Sequence, residues 1–249
     1  MVREEGASAE TLTPGGSDAL PGAGDGDRAG PEALVRSTAA MAVGTALSRI
    51  TGFLRVSAAA FALGVAETRL ADAYNVANNT PNIVYELVLG GILTSVFVPV
   101  FIEQLASRTR EEAWNAARAV LTVTAVILTA VAVIGIVAAP WIVRLYTFRV
   151  EGPARQATQE LATLFLRFFM PQMLFYGVGA VATGLLNAHR RFAVPMFAPI
   201  LNNLVVIGSF LAFAAMVAGR SPSPETITLA EKLVLALGTT GGVVAMTLA

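Results

Sequence analysis

Residues Ala119–Val143 read AVLTVTAVILTAVAVIGIVAAPWIV, 25 residues without a single charge. A helix crossing the hydrocarbon core of a bilayer needs about 20 predominantly apolar residues. This stretch is long enough by itself to place the chain in a membrane. Phe192–Ala218 is equally free of charge, and four further segments meet or approach the same requirement. The expected spans are residues 37–65, 70–102, 117–146, 158–187, 193–218 and 228–249. The short polar connections between them, such as SRTREEAWNAAR at 107–118, suit antiparallel neighbours in a helix bundle.

Composition agrees with that reading. The 249 residues are 55% hydrophobic and 14% charged, against about 25% charged in a soluble domain. Basic and acidic residues balance at 17 each, so net charge points to no nucleic acid and no acidic partner. The sequence has no cysteine and one histidine, His189, which excludes thiolate chemistry, disulfides and a multi-histidine metal site. It contains no phosphate-binding glycine loop, no zinc-protease helix motif and no nucleophile elbow. No cofactor is expected, and nothing pairs a nucleophile with a base as an enzyme would require.

Residues 1–35 are rich in glycine, proline, serine and acidic side chains and are read as a retained, disordered polar tail. Residues 36–249 form the membrane unit. Its last span is still apolar at Ala249, which reads as a truncated end. With the tail placed inside, Arg36, Arg108, Arg110, Arg118, Arg190 and Arg191 fall on the inner side. Arg69, Arg144, Arg149, Arg155, Arg220 and Lys232 then fall outside, a tie under the positive-inside rule. Only the tighter clustering of the inner set favours a cytoplasmic tail.

The first two spans carry charge at bilayer depth, where each ionisable side chain costs about 2.5–3.5 kcal/mol on insertion scales. Arg49 and Arg55 flank Gly52 in SRITGFLR, where a missing side chain permits bending or close helix approach. In the second span, ADAYNVANNTPNIVYELVLGGILTSVFVPVF, the residues Asp72, Asn75, Asn79, Asn82 and Glu86 recur at steps of three and four. On a helix they make one polar stripe. Pro81 is expected to kink that helix, with Gly90 and Gly91 a second weak point. Such a stripe suits a substrate cavity or gate. It also suits asparagines bonded between helices and arginines snorkelling to headgroups. Arg167, alone among Phe165, Phe168 and Phe169, reads as a third cavity cation, as a snorkelling side chain or as a partner of Asp72 or Glu86.

Several segments together resemble one family: SRITGFLR (48–55), ADAYNVANNTPN (71–82), VFVPVF (96–101), AAPW (138–141) and GLLNAHRRFAVPMFAPILNN (184–203). Their order and spacing are similar to those of the MurJ/MviN lipid II flippases, members of the multidrug, oligosaccharidyl-lipid and polysaccharide exporter superfamily. The resemblance covers residues 37–249. It implies an all-α integral membrane fold in which this chain is a six-helix bundle, the N-terminal lobe of a two-lobed, fourteen-helix flippase. It further implies lipid II as the substrate, carried to the outer leaflet of the bacterial plasma membrane by alternating access, with membrane lipids and cell-wall synthesis proteins as partners. Arg49 and Arg55 match the family's cavity arginines and Asp72 its functional aspartate. The chain departs from well-studied Gram-negative members at Tyr85 and Glu86, where they carry two arginines, at Gly90, and at Val56, where an acidic residue is expected. A related exporter of drugs or of another polyprenyl-linked glycan shares the architecture, and a non-transporting cell-wall scaffold is the alternative of a different class.

Overall fold

The computed structural model describes residues 31–64, 69–88, 110–149, 151–152, 154–188 and 193–249. Seven helices run through these residues: α1 (Pro31–Leu63), α2 (Leu70–Leu87), α3 (Arg110–Tyr146), α4 (Ala154–Phe169), α5 (Gln172–Ala188), α6 (Ala193–Met216) and α7 (Leu229–Leu248). Five stretches of the described residues are long and apolar enough to cross a bilayer, with α4 and α5 counted as one. Among the described residues the fold is therefore all-helical and multi-pass. Helix α2 falls short of that measure because the polar stripe lowers its hydropathy.

Two helices differ from expectation. Helix α1 already starts at Pro31, a residue suited to a first helical turn, so it takes in the end of the segment read as a tail. The fourth span is two helices, because Pro171 has no amide proton to donate and the chain turns at Met170–Pro171. In lipid a broken helix must satisfy its backbone groups within the protein. Here α7 satisfies one of them: the Thr240 hydroxyl donates to the Phe168 carbonyl at 2.9 Å and itself accepts from the Gln172 side-chain amide at 3.0 Å. The second weak point expected at Gly90 and Gly91, the remainder of span two and His189 lie outside the described residues.

The core is organised around Tyr74. Helix α2 buries Leu70, Ala73, Tyr74, Ala77, Thr80 and Pro81 along one face. The small Ala73 and Ala77 let α4 approach closely, bringing Phe165 and Phe169 against the tyrosine. The Tyr74 ring meets Phe165, Phe169 and Phe210 edge-on, with centroids 5.8, 5.6 and 5.5 Å away. Such contacts add about 0.5–1.5 kcal/mol each beyond the area they bury. The phenol oxygen is 2.7 Å from the Thr239 hydroxyl of α7. One side chain thus joins α2 to α4, α6 and α7.

Helices α6 and α7 pack through glycine. A β-carbon at Gly238 would overlap Ser209, and one at Gly242 would overlap the Asn202 side chain and stand 3.0 Å from the Asn202 carbonyl. Close approach of this kind replaces the hydrophobic drive that helices lack in lipid. Helix α7 begins with a capping box: Thr228 accepts from the Glu231 amide, and the Glu231 carboxylate accepts from the Thr228 amide and pairs with Arg220. Helix α1 lies mainly on α6. There the Asn203 amide donates to the Thr51 hydroxyl at 3.1 Å and the Ser48 carbonyl at 3.4 Å. Gly64, at φ 76°, ends α1.

Two outcomes follow for chemical or thermal unfolding of the detergent-solubilised full-length protein. Tyr74→Phe loses only the hydrogen bond, worth about 0.6–1.7 kcal/mol in membrane interiors. Tyr74→Ala loses the ring packing as well and is expected to cost about 3–5 kcal/mol. Equal effects would mean that the hydroxyl, not the ring, ties the helices together. Gly238→Ala and Gly242→Ala should each lower stability although alanine is the better helix former by about 1 kcal/mol. A gain in stability would show that the α6–α7 approach is loose.

Candidate functional site

With its buried face committed to the core, α2 turns the opposite face outward. Asp72, Asn75, Asn79 and Glu86 are exposed, and Asn82 is half-buried with its amide 3.5 Å from the Asn78 carbonyl. The expected stripe is therefore one continuous face. The helix runs unbroken through Pro81, which is buried on the core side. Likewise α1 is continuous through Gly52, where an added β-carbon would meet only the Asn203 amide, at 3.7 Å.

The structure divides the nominated residues into groups. Asp72, Asn75 and Asn79 line a cavity of about 590 Å³ together with Arg69, Tyr146, Thr147, Arg149 and Thr158. This cavity sits where the start of α2 meets the end of α3 and the start of α4. The Arg69 guanidinium reaches the Glu151 carbonyl at 3.5 Å, and the Arg149 guanidinium lies 5.2 Å from the Phe148 ring centroid. Arg55, half-buried on α1, is on the other flank of α2, within electrostatic reach of the Tyr74 and Tyr176 hydroxyls. Arg49 is exposed on α1, and Glu86 is exposed near the end of the described part of α2.

Depth along the helices relates these groups. At 1.5 Å per residue from the α1–α2 turn, Arg55 is about 12 Å and Arg49 about 21 Å down α1. On α2, Asp72 is about 3 Å and Glu86 about 24 Å down. Arg49 and Glu86 thus lie far from that turn along their own helices, and Arg55 and Asp72 nearer to it. Among the described residues no ion pair joins Arg49 or Arg55 to Asp72 or Glu86. Arg49 keeps its hydrogen-bonding capacity for an anion, which a guanidinium can grip with two parallel bonds, while Arg55 spends part of its own on the Tyr74 hydroxyl. No group of three or more His, Asp or Glu among the described residues could hold a metal ion.

Five residues belong with this site that sequence reading did not nominate. Arg69 precedes Asp72 by three residues, so helical spacing already places it on the stripe's face, yet it reads as an interfacial anchor. Arg149 reads as a loop charge for the same reason. Tyr74 and Tyr176 meet Arg55 only through tertiary packing. Tyr85, at one of the places where well-studied relatives carry arginine, donates to the Tyr176 carbonyl at 3.2 Å and packs against that ring. Beyond the cavity, the Ser223 hydroxyl donates to Glu225 in the α6–α7 connection and holds that carboxyl below its ordinary range.

Comparison with known proteins gives a consistent result. The sequence matches the family described as "Lipid II flippase MurJ" over residues 59–249. It is 32% identical over 182 residues to the lipid II flippase MurJ of Burkholderia cenocepacia, covering 72% of this chain and 33% of that protein. It is 31% identical over 211 residues to the probable lipid II flippase MurJ of a Synechocystis species, covering 84% and 38%. For the probable lipid II flippase MurJ of Rickettsia prowazekii the identity is 26% over 203 residues, covering 82% and 38%. The chain spans about a third of the length of the curated relatives it matches. A helical membrane bundle that matches one family across most of its residues identifies the chain as a member of the lipid II flippase MurJ family.

Proposed function

We propose that this chain forms the N-terminal lobe of a flippase that moves lipid II from the inner to the outer leaflet by alternating access, with its N-terminus in the cytoplasm. The reading rests chiefly on the disposition of α2. A helix in a membrane bundle that buries alanines and a tyrosine while turning Asp72, Asn75, Asn79 and Glu86 outward is built to face water or a polar ligand, not lipid.

No covalent chemistry is required. Arg49 and Arg55 bind the diphosphate or disaccharide of the headgroup, and the asparagines offer neutral donors and acceptors to the sugar. Asp72 and Glu86 compete for the two arginines once the headgroup has left and so favour return of the empty carrier. Gly52 and Pro81 allow α1 and α2 to bend as the lobe rocks against its counterpart.

In native mass spectrometry of the full-length protein, wild type should hold lipid II in preference to bulk anionic lipid. Arg49→Ala and Arg55→Ala should each weaken that binding on the order of tenfold or more, as expected for loss of a charge-assisted contact. The double variant should also fail to support growth of a flippase-depleted strain. Normal growth and undiminished binding would overturn these roles. Gly52→Ala separates bending from packing. The added methyl fits and favours the helix by about 0.5–1 kcal/mol, so stability should hold or rise while flipping slows. Unchanged flipping would remove Gly52 as a hinge.

A further inference from the structure

A second polar stripe runs along α4, on the side away from the Tyr74 core. Helix α4 buries Thr158, Leu161, Ala162, Phe165, Leu166 and Phe169. Gln156, Gln159, Glu160, Thr163 and Arg167 recur at helical spacing on the other side. They line a groove of about 710 Å³ against α3, where Pro140 and Arg144 form the facing wall and Leu164 and Phe168 the apolar flank.

The levels of these groups follow from one contact. The Gln159 amide donates to the Thr147 hydroxyl at 2.9 Å, which puts the two residues at the same height. Counting down the antiparallel helices at 1.5 Å per residue, Arg144 is about 4–5 Å below that point, Thr163 about 6 Å and Arg167 about 12 Å. Two guanidiniums thus bracket one hydroxyl in a single groove. The groove's one carboxylate, Glu160, accepts from the Gln156 amide at 2.9 Å. Among the described residues it makes no ion pair with Arg144 or Arg167. Both arginines are exposed, and Arg167 lies about 20 Å down α4 from Ala154, a depth at which an uncompensated cation is costly.

We propose that this α3–α4 groove is a lateral site for the phosphate headgroup of an anionic phospholipid. The phosphate lies between Arg144 and Arg167 within reach of the Thr163 hydroxyl, and an acyl chain follows Leu164 and Phe168. The site is separate from the α2 stripe and does not depend on what that stripe carries. Charge decides the occupant: two cations against one carboxylate already engaged by an amide favour a net-anionic headgroup over a zwitterionic one. The apolar flank beside them favours a diacyl lipid over free phosphate.

The test uses the full-length protein in nanodiscs of phosphatidylcholine containing a minor fraction of fluorescent phosphatidylglycerol, with energy transfer reporting enrichment at the protein. Arg144→Gln/Arg167→Gln should reduce enrichment by about 25-fold, since each cation near an anionic headgroup contributes on the order of fivefold. Arg144→Lys/Arg167→Lys should retain most of it, as should Arg49→Ala/Arg55→Ala. If the double glutamine variant fails to fold, Glu160→Gln carries the test, because removing the opposing carboxylate should raise enrichment. Three results would overturn the site: enrichment unchanged in the double glutamine variant, enrichment unchanged in Glu160→Gln, or displacement of the labelled phospholipid by added lipid II. Inorganic phosphate that displaces it at millimolar concentration would show a free-anion site and likewise refute the lipid assignment.

Discussion

Burial of Tyr74 is the constraint from which most of this bundle follows. A phenol ring surrounded by Phe165, Phe169 and Phe210, with its oxygen on Thr239, fixes the rotation of α2 about its own axis. Once that rotation is set, the residues half a turn away have no choice of direction. Asp72, Asn75, Asn79 and Glu86 face outward because Ala73, Tyr74 and Ala77 face inward. The polar face of the helix is thus a product of core packing, and no contact on the polar side is needed to hold it there. A surface meant to bind and then release a ligand gains from such an arrangement.

Helix α1 is held differently. It rests on α6 through Asn203, Gly44 and Gly52 and touches α2 little. The arginines on α1 and the acidic residues on α2 therefore belong to separately supported walls. A sliding of α1 over α6 changes the distance between these charges, whereas α6 itself stays tied to the aromatic core through Phe210. Coulomb energy varies steeply with distance in a poorly screened interior, so a small displacement changes which partner an arginine prefers.

Much of this was legible in the sequence, for physical reasons that can be named. Spans such as Ala119–Val143 declare themselves because lipid tolerates no charge there. The α2 stripe is readable because its spacing of three and four needs only helix geometry. Tyr74 was not legible as the hub: set among asparagines it looks like part of the polar face, and its partners come from residues 165, 169, 210 and 239. The break at Pro171 was hidden because hydropathy stays high on both sides of it, although the proline itself was in plain view. The stripe on α4 was obscured because Arg167 sits among phenylalanines whose inward direction only the fold reveals. The pairing of α1 with α6 rests on contacts more than 150 residues apart, such as Asn203 with Thr51, which local patterns cannot carry.

The turn at Pro171 also bears on how the chain enters the membrane. Its freed carbonyl at Phe168 is satisfied by Thr240, a residue 72 positions further along. During synthesis α4 and α5 are complete well before that hydroxyl exists, and α4 carries Arg167 and a row of amides on its outward face. Until α7 follows, this span has an unsatisfied backbone group and a polar face with little to shield it. Water, the insertion machinery or a headgroup must serve in the interval. Seating of the fourth span thus waits on a helix made well after it.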